Sequence, residues 1–147
     1  MSEVLELVLP MRLDTPNKRR GGHWSTRHKE TKAWEHIVRA IANVNIQRWS
    51  LIEDTAIRRD NCGKHRIVEQ RRRERRRVTV VRQVSGVDGL IRDHENLHFA
   101  MKPVNDALKR IGLIYDDSME WMDQPIPEQR VVPKAPEMTV IRIERIA

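Results

Sequence analysis

Four carboxylates bracket one short stretch of an otherwise basic chain. Asp93 and Glu95 stand two apart, and Asp116 and Asp117 follow as an adjacent pair. Carboxylate oxygens are the hard donors that Mg2+ prefers, alongside water and phosphate oxygens. Phosphodiester hydrolysis calls for such a group, because it needs a nucleophilic water, a neutralised phosphate and a stabilised leaving oxygen. One or two Mg2+ ions supply all three. Asp93, Glu95 and Asp117 are therefore candidate catalytic and metal-binding residues, with Asp116 a further candidate ligand. Lys102 is the candidate cation at the phosphate, where a lysine counters transition-state charge or orients water. At about 100° per residue, it returns to within about 20° of Glu95's direction on a helix. A plainer reading stands beside this one: acids before a helix suit its dipole, and Asp-Asp after a helix is ordinary turn chemistry.

The elements that must position these residues follow from periodicity. Leu97, Met101, Val104, Leu108 and Ile111 recur at helical spacing and predict a helix over Glu95–Ile111. Pro103 inside it removes a backbone donor and predicts a kink or restart. Gly112 is a natural residue just past the helix end. A continuous helix of that length spans about 25 Å. The two acid sets meet only if the helix breaks or the Leu113–Tyr115 segment folds back.

Upstream, Val4–Leu9 alternates as a half-buried strand that Pro10 stops. Residues 11–24 read as a basic loop carrying Lys18, Arg19 and Arg20. Ser25 is a fair N-cap for a helix to about Arg48, with Trp34, Ile37, Ile41 and Val44 as its apolar stripe. Residues 49–65 lack a clean period, and Asn61, Cys62 and Gly63 read as a turn. Between Lys64 and Arg82 there are nine Lys or Arg and two Glu. Val78–Val84 reads as a strand. The arginine-rich arm at about 64–77 is open among a strand extension, a hairpin arm and a short helix. Met138–Ile146 closes the chain as a strand. The order predicts a single small α+β domain over residues 1–147.

The chain has 147 residues, 39% of them hydrophobic and 33% charged, which suits one core with a charged surface. Its net charge is +7 and its pI about 10.2, a balance that favours a polyanionic partner through counterion release. The single cysteine, Cys62, excludes an internal disulfide and a multi-thiolate zinc site. No run approaches the roughly 18 apolar residues of a membrane helix. The N-terminal residues do not read as a secretory signal, so a reducing cytoplasm is the expected compartment.

Arg92-Asp93-His94-Glu95-Asn96-Leu97, then Lys102, Asp106-Ala107-Leu108, Gly112 and Asp116-Asp117, resembles the signature of the RusA family of Holliday junction resolvases. That signature is an Asp-x-Asp-Asn-Leu run, a lysine, an Asp-Ala-Leu helix segment, a glycine and an Asp-Asp pair. The resemblance covers roughly Arg92 to Asp117, and more loosely the strand before it and the terminal strand. It implies a mixed β-sheet with two main helices, and a homodimer that nicks four-way DNA junctions symmetrically with Mg2+, Mn2+ being an alternative ion. It places Asp93, Glu95 and Asp117 as metal-binding carboxylates, Asp116 as the less critical acid of the pair, Lys102 as the catalytic lysine and Asn96 on the motif's asparagine. Many members of the family are carried by phages, and their host cytoplasm is the implied location. The chain departs from the pattern in three places: Glu95 stands where Asp is usual, Asn96 and Lys102 are further apart, and residues 50–77 are longer and richer in arginine.

Arg71, Arg72, Arg73, Arg75, Arg76 and Arg77 are candidate DNA contacts, since guanidinium groups fork onto phosphate. A solvated basic arm is the alternative. Lys18, Arg19 and Arg20 form a second candidate contact loop. His94 and His98 lie beside the acids, but Mg2+ disfavours imidazole; His98 could assist a proton transfer instead. Trp34 reads as core. Trp24, Trp49 and Trp121 are open among packing, a dimer contact and base stacking. Two rivals to the nuclease share the charge: a non-catalytic DNA-binding protein, and a basic RNA-associated assembly factor.

Overall fold

Period-two burial builds the main sheet. In β1 (Val4–Leu9), Leu5, Leu7 and Leu9 are buried while Val4, Glu6 and Val8 face outward. β7 (Met138–Arg145) buries Ile141 and Ile143 on the same face, and β4 (Arg76–Val84) buries Val78, Val80 and Val84. β7 lies between β1 and β4 and is antiparallel to both. The far edge of β4 is shared: β5 (Met122–Asp123) pairs parallel with its start, and β6 (Glu128–Val131) parallel with its end. The sheet is therefore mixed, and the chain is a small single-domain α+β protein. The computed structural model describes residues 3–13 and 24–146, with side chains from residue 28 onward in the second stretch. Lys18, Arg19 and Arg20 lie outside the described residues. No helix among those described is long and apolar enough to cross a membrane.

α1 (Trp24–Ala42) packs on β1 and on the last long helix. Its buried line is Thr31, Trp34, Val38 and Ala42, whereas Ile41 is 42% exposed and Val44 76% exposed. Of the expected stripe of Trp34, Ile37, Ile41 and Val44, Trp34 is buried and Ile37 partly so, and beyond them the line shifts by one residue to Val38 and Ala42. The small Ala42 takes the close approach, and the helix stops before Val44. It stops at Asn43, whose φ of 41° lies in the left-handed region that asparagine tolerates. α2 (Asn45–Trp49) is a separate turn, not the tail of a helix to Arg48.

The arginine-rich middle resolves into two parts. β2 (Ile52–Arg59) and β3 (His65–Arg71) form a two-stranded antiparallel hairpin outside the main sheet. β4 begins at Arg76, two residues before the expected strand. A 3-10 turn at Val87–Gly89 then leads to α3 (His94–Ala100) and α4 (Lys102–Ile111). Pro103 sits in the first turn of α4, where its missing N–H costs nothing, so the chain restarts there. The apolar stripe is as the spacing predicts: Leu97, Met101, Val104, Leu108 and Ile111 are all buried.

Gly112 ends α4 with φ 85°. A Cβ at this position would stand 2.8 Å from Ile52 Cγ1 and 2.9 Å from Ser50 Oγ. Its carbonyl accepts from Leu51 N at 2.7 Å, tying the hairpin root to the helix end. Gly112→Ala is therefore expected to cost about 1–3 kcal/mol in urea denaturation, from the left-handed backbone and the crowded root together.

Candidate active site

Two clamps place the acids. The first acts on the segment before α3. Gln129 on β6 accepts from Ile91 N at 2.9 Å through Oε1 and donates to Ile91 O at 2.7 Å through Nε2. Arg82, buried on β4, donates to Gly89 O at 2.5 Å, to Gln129 Oε1 at 3.1 Å and to Leu13 O at 2.9 Å. Asp93 then caps α3, its Oδ1 accepting from Glu95 N at 2.8 Å. Asp93, His94, Glu95 and His98 are exposed at this end of the helix, and Asn96 is half-buried.

The second clamp folds the chain back after α4. Arg76 Nη1 donates to Leu113 O at 2.7 Å and to Trp49 O at 2.6 Å. β5 then docks beside the start of β4, and Asn105 and Gln124 exchange side-chain amide bonds of 2.9 and 3.0 Å. Tyr115 and Trp121 pack with ring centroids 4.6 Å apart and planes tilted by 54° within the returning loop. The loop brings Asp117 to the start of α4, where Lys102 Nζ donates to its Oδ2 at 2.5 Å and lies 3.0 Å from Asp106 Oδ1. Lys109 Nζ pairs with Asp116 and lies 3.9 Å from Asp117 Oδ1.

The outcome is an alternating chain of charge: Asp106, Lys102, Asp117, Lys109, Asp116. Both routes considered from the sequence occur, the helix restart and the fold-back. Among the described residues Asp117 meets Lys102 and Lys109, whereas no contact joins Asp93 or Glu95, at the far end of α3, to either lysine or to Asp117. Asp106, read from the sequence only as part of a helix segment, and Lys109, not singled out there, are site neighbours. The i,i+4 spacing of Lys102 and Asp106 is the signal that could have found the first.

The electrostatics follow the pairs. The hydrogen bond to Asp117, then Asp106, raises the Lys102 ammonium above its ordinary value, against the opposing effect of burial. Lys109, then Ser118, lowers the Asp116 carboxyl from 3.8 to about 2. Because the folded value lies below the unfolded one, the stabilisation from Asp116 is complete above about pH 4 and is lost as the pH falls toward 2. Asp116→Asn is expected to flatten the acid limb of stability between pH 4 and 2, read by denaturant titration at several pH values.

The acids are of the right type for a hard divalent ion. As the side chains stand, however, no three of the described His, Cys, Asp or Glu residues are close enough together to hold one. Lys102 and Lys109 are the cations that face Asp117 and Asp116. A cleft of about 720 Å3 opens beside them, lined by Glu69, Arg71, Asp106, Lys109, Tyr115 and Asp116 among others.

The arginine run divides. Arg76 is a correction: it is fully buried, so it is no DNA contact. It sits between Trp49, 5.4 Å from the ring centroid, and Glu74, whose Oε1 accepts from Nε at 2.9 Å. Its Nη2 lies 2.8 Å from the same oxygen but off the line of a hydrogen bond. Burial lowers its pKa, and Glu74 opposes that. Trp49 is likewise core, with Arg145 4.9 Å from its ring centroid on the surface side. Arg71 donates to Glu69, to Lys109 O and to Arg110 O. Arg72 pairs with Glu74 at 3.2 Å and Arg77 with Asp123 at 2.7 Å. Arg73 and Arg75 are exposed.

Neither the comparison with protein-family models nor that with curated proteins gives a match for this chain.

Proposed function

We propose that the chain is a Mg2+-dependent endodeoxyribonuclease that nicks branched DNA, in the manner implied by its RusA-like signature. One observation carries the reading. Asp117 and Lys102, fifteen residues apart in sequence, meet at 2.5 Å where α3 passes into α4, while Asp93 and Glu95 stand at the other end of α3. Asp93, Glu95 and Asp117 would hold the ion. The ion would supply charge neutralisation at the phosphate and an acidified water.

The remaining roles belong to side chains. Lys102 is exposed, so its ammonium would be free to exchange Asp117 for a phosphate oxygen. Lys109 and Asp116 keep the loop in place through their own pair. Asp93 keeps one oxygen on the Glu95 amide, which fixes its carboxylate at the helix end. A homodimer with two-fold symmetry fits a near-symmetric junction, with one subunit facing each scissile strand. A DNA-binding protein without catalysis is the second reading. It is favoured by the ion pairs that already satisfy Asp116 and Asp117.

Incubation of a labelled four-way junction and a matched linear duplex, each with Mg2+ or with EDTA, tests the proposal. Paired nicks in the junction that EDTA abolishes are expected. Tight junction binding with no nicking in Mg2+ or Mn2+ would transfer the case to the second reading.

A further inference from the structure

The β2–β3 hairpin is the least expected element of the fold. Seven of the eight β2 residues and five of the seven β3 residues are exposed, so neither face of the ribbon is covered. Two-stranded ribbons are marginally stable in water without a surface to pack on. Here the cross-strand pairs also work against the ribbon in isolation. Arg58 lies directly opposite Arg66, a like-charge pairing that destabilises a sheet, and Arg59 lies opposite His65. On the face away from Arg58 and Arg66, beside Arg59 and His65, Ile57 opposes Ile67, and these two are 72% and 68% exposed.

Charge is sorted along the hairpin. Its acids Glu53, Asp54 and Glu69 sit toward the root, and Arg58, Arg59, Lys64 and Arg66 sit toward the tip. The one acid at the tip, Asp60, has its Oδ1 on the amides of Cys62 and Lys64 at 2.9 and 2.8 Å, shaping the turn. Among the described residues, none of Arg58, Lys64 and Arg66 has an acid within ion-pair distance. The root is fixed to the end of α4: Leu51 N donates to Gly112 O, and Arg71 donates to the carbonyls of Lys109 and Arg110. Glu69 and Arg71 form one wall of the cleft that holds Asp116.

We infer that this hairpin is a DNA-binding ribbon that enters a groove of duplex DNA with its cationic tip and leads the backbone toward the acids; the inference rests on the nucleic-acid reading above. Two strands about 4.8 Å apart fit a major groove about 12 Å wide. β3 alone, at about 3.3 Å per residue, reaches about 23 Å from the root. Phosphates bind Arg58 and Arg66 together and so relieve their mutual repulsion. Ile57 and Ile67 bury on sugar and base edges, where the major groove offers thymine methyl groups. The ribbon takes over the contact role that the sequence assigns to the run from Arg71 to Arg77, much of which is spent on bonds within the protein.

Binding is read by fluorescence anisotropy of a labelled junction and a labelled duplex in EDTA, which separates it from cleavage. Arg58→Ala/Arg66→Ala and Arg58→Glu/Arg66→Glu are exposed changes whose folding is checked by circular dichroism. The alanine pair is expected to weaken binding about 10-fold or more and to lower the slope of log K against log salt by about 2, the glutamate pair to weaken it further. Wild-type affinity and full slope in both variants would overturn the ribbon, while the nuclease reading stands if junctions are still cut. Failure of the wild type to bind any DNA would overturn both. A dimer that Ile57→Ser/Ile67→Ser converts to monomer, with DNA binding unchanged, would assign the ribbon to a second copy of the chain instead and overturn the inference.

Discussion

Asp93→Asn is expected to abolish cleavage, by about 100-fold or more, while junction binding stays equal or tightens. Asparagine caps a helix as well as aspartate does, so the bond to Glu95 N and the start of α3 survive. What disappears is one negative charge among the proposed ion ligands. A loss of about 100-fold corresponds to about 2.7 kcal/mol of transition-state stabilisation, within the range of one well-placed electrostatic group. Binding does not suffer, because removing an anion beside phosphate lowers repulsion. Asp117→Asn is expected to lose cleavage similarly. It also withdraws the strongest support for the raised Lys102 pKa, which then falls toward its ordinary value. Unchanged nicking in Asp93→Asn would return the acid to a plain helix-end role.

Arg76→Met is expected to cost about 3–5 kcal/mol, with Tm lower by about 10 °C. The substitution strips two buried carbonyls, Trp49 O and Leu113 O, of their donor and leaves Glu74 short of its closest cation. Arg77→Met, one residue on, breaks only an exposed pair with Asp123 and is expected to cost less than about 1 kcal/mol. Thermal melts of the two variants side by side separate a structural arginine from a surface one. An Arg76→Met variant as stable as the wild type would contradict the structural role of this arginine.

The contrast between these neighbours shows what could be read from the chain. Strands with one buried face announce themselves: Leu5, Leu7 and Leu9, or Ile141 and Ile143, alternate without exception. The α3–α4 stripe is equally plain, and so is the restart at Pro103. Arg76 hid because arginine runs look solvated. Counting back by twos from Val80 and Val78 places it on the buried face, where a cation is held by backbone carbonyls that sequence does not display. The hairpin left no period because it buries neither face, and hydrophobic periodicity reports only burial. The fold-back of Asp117 depends on Asn105 with Gln124, and the placing of Asp93 on Gln129 with Ile91, polar pairs distant in sequence that no local pattern announces.

The claim that joins all of this is that Asp93, Glu95 and Asp117 act as one ion site despite the lysines now facing the Asp-Asp pair. Calorimetric titration of Mn2+ into the wild-type chain, Asp93→Asn and Asp117→Asn tests it most directly, with junction nicking followed over the same ion concentrations. The expected result is wild-type binding that each substitution weakens at least about ten-fold, with nicking rising as the site fills. Binding that neither substitution alters, or nicking that continues in EDTA, would contradict it.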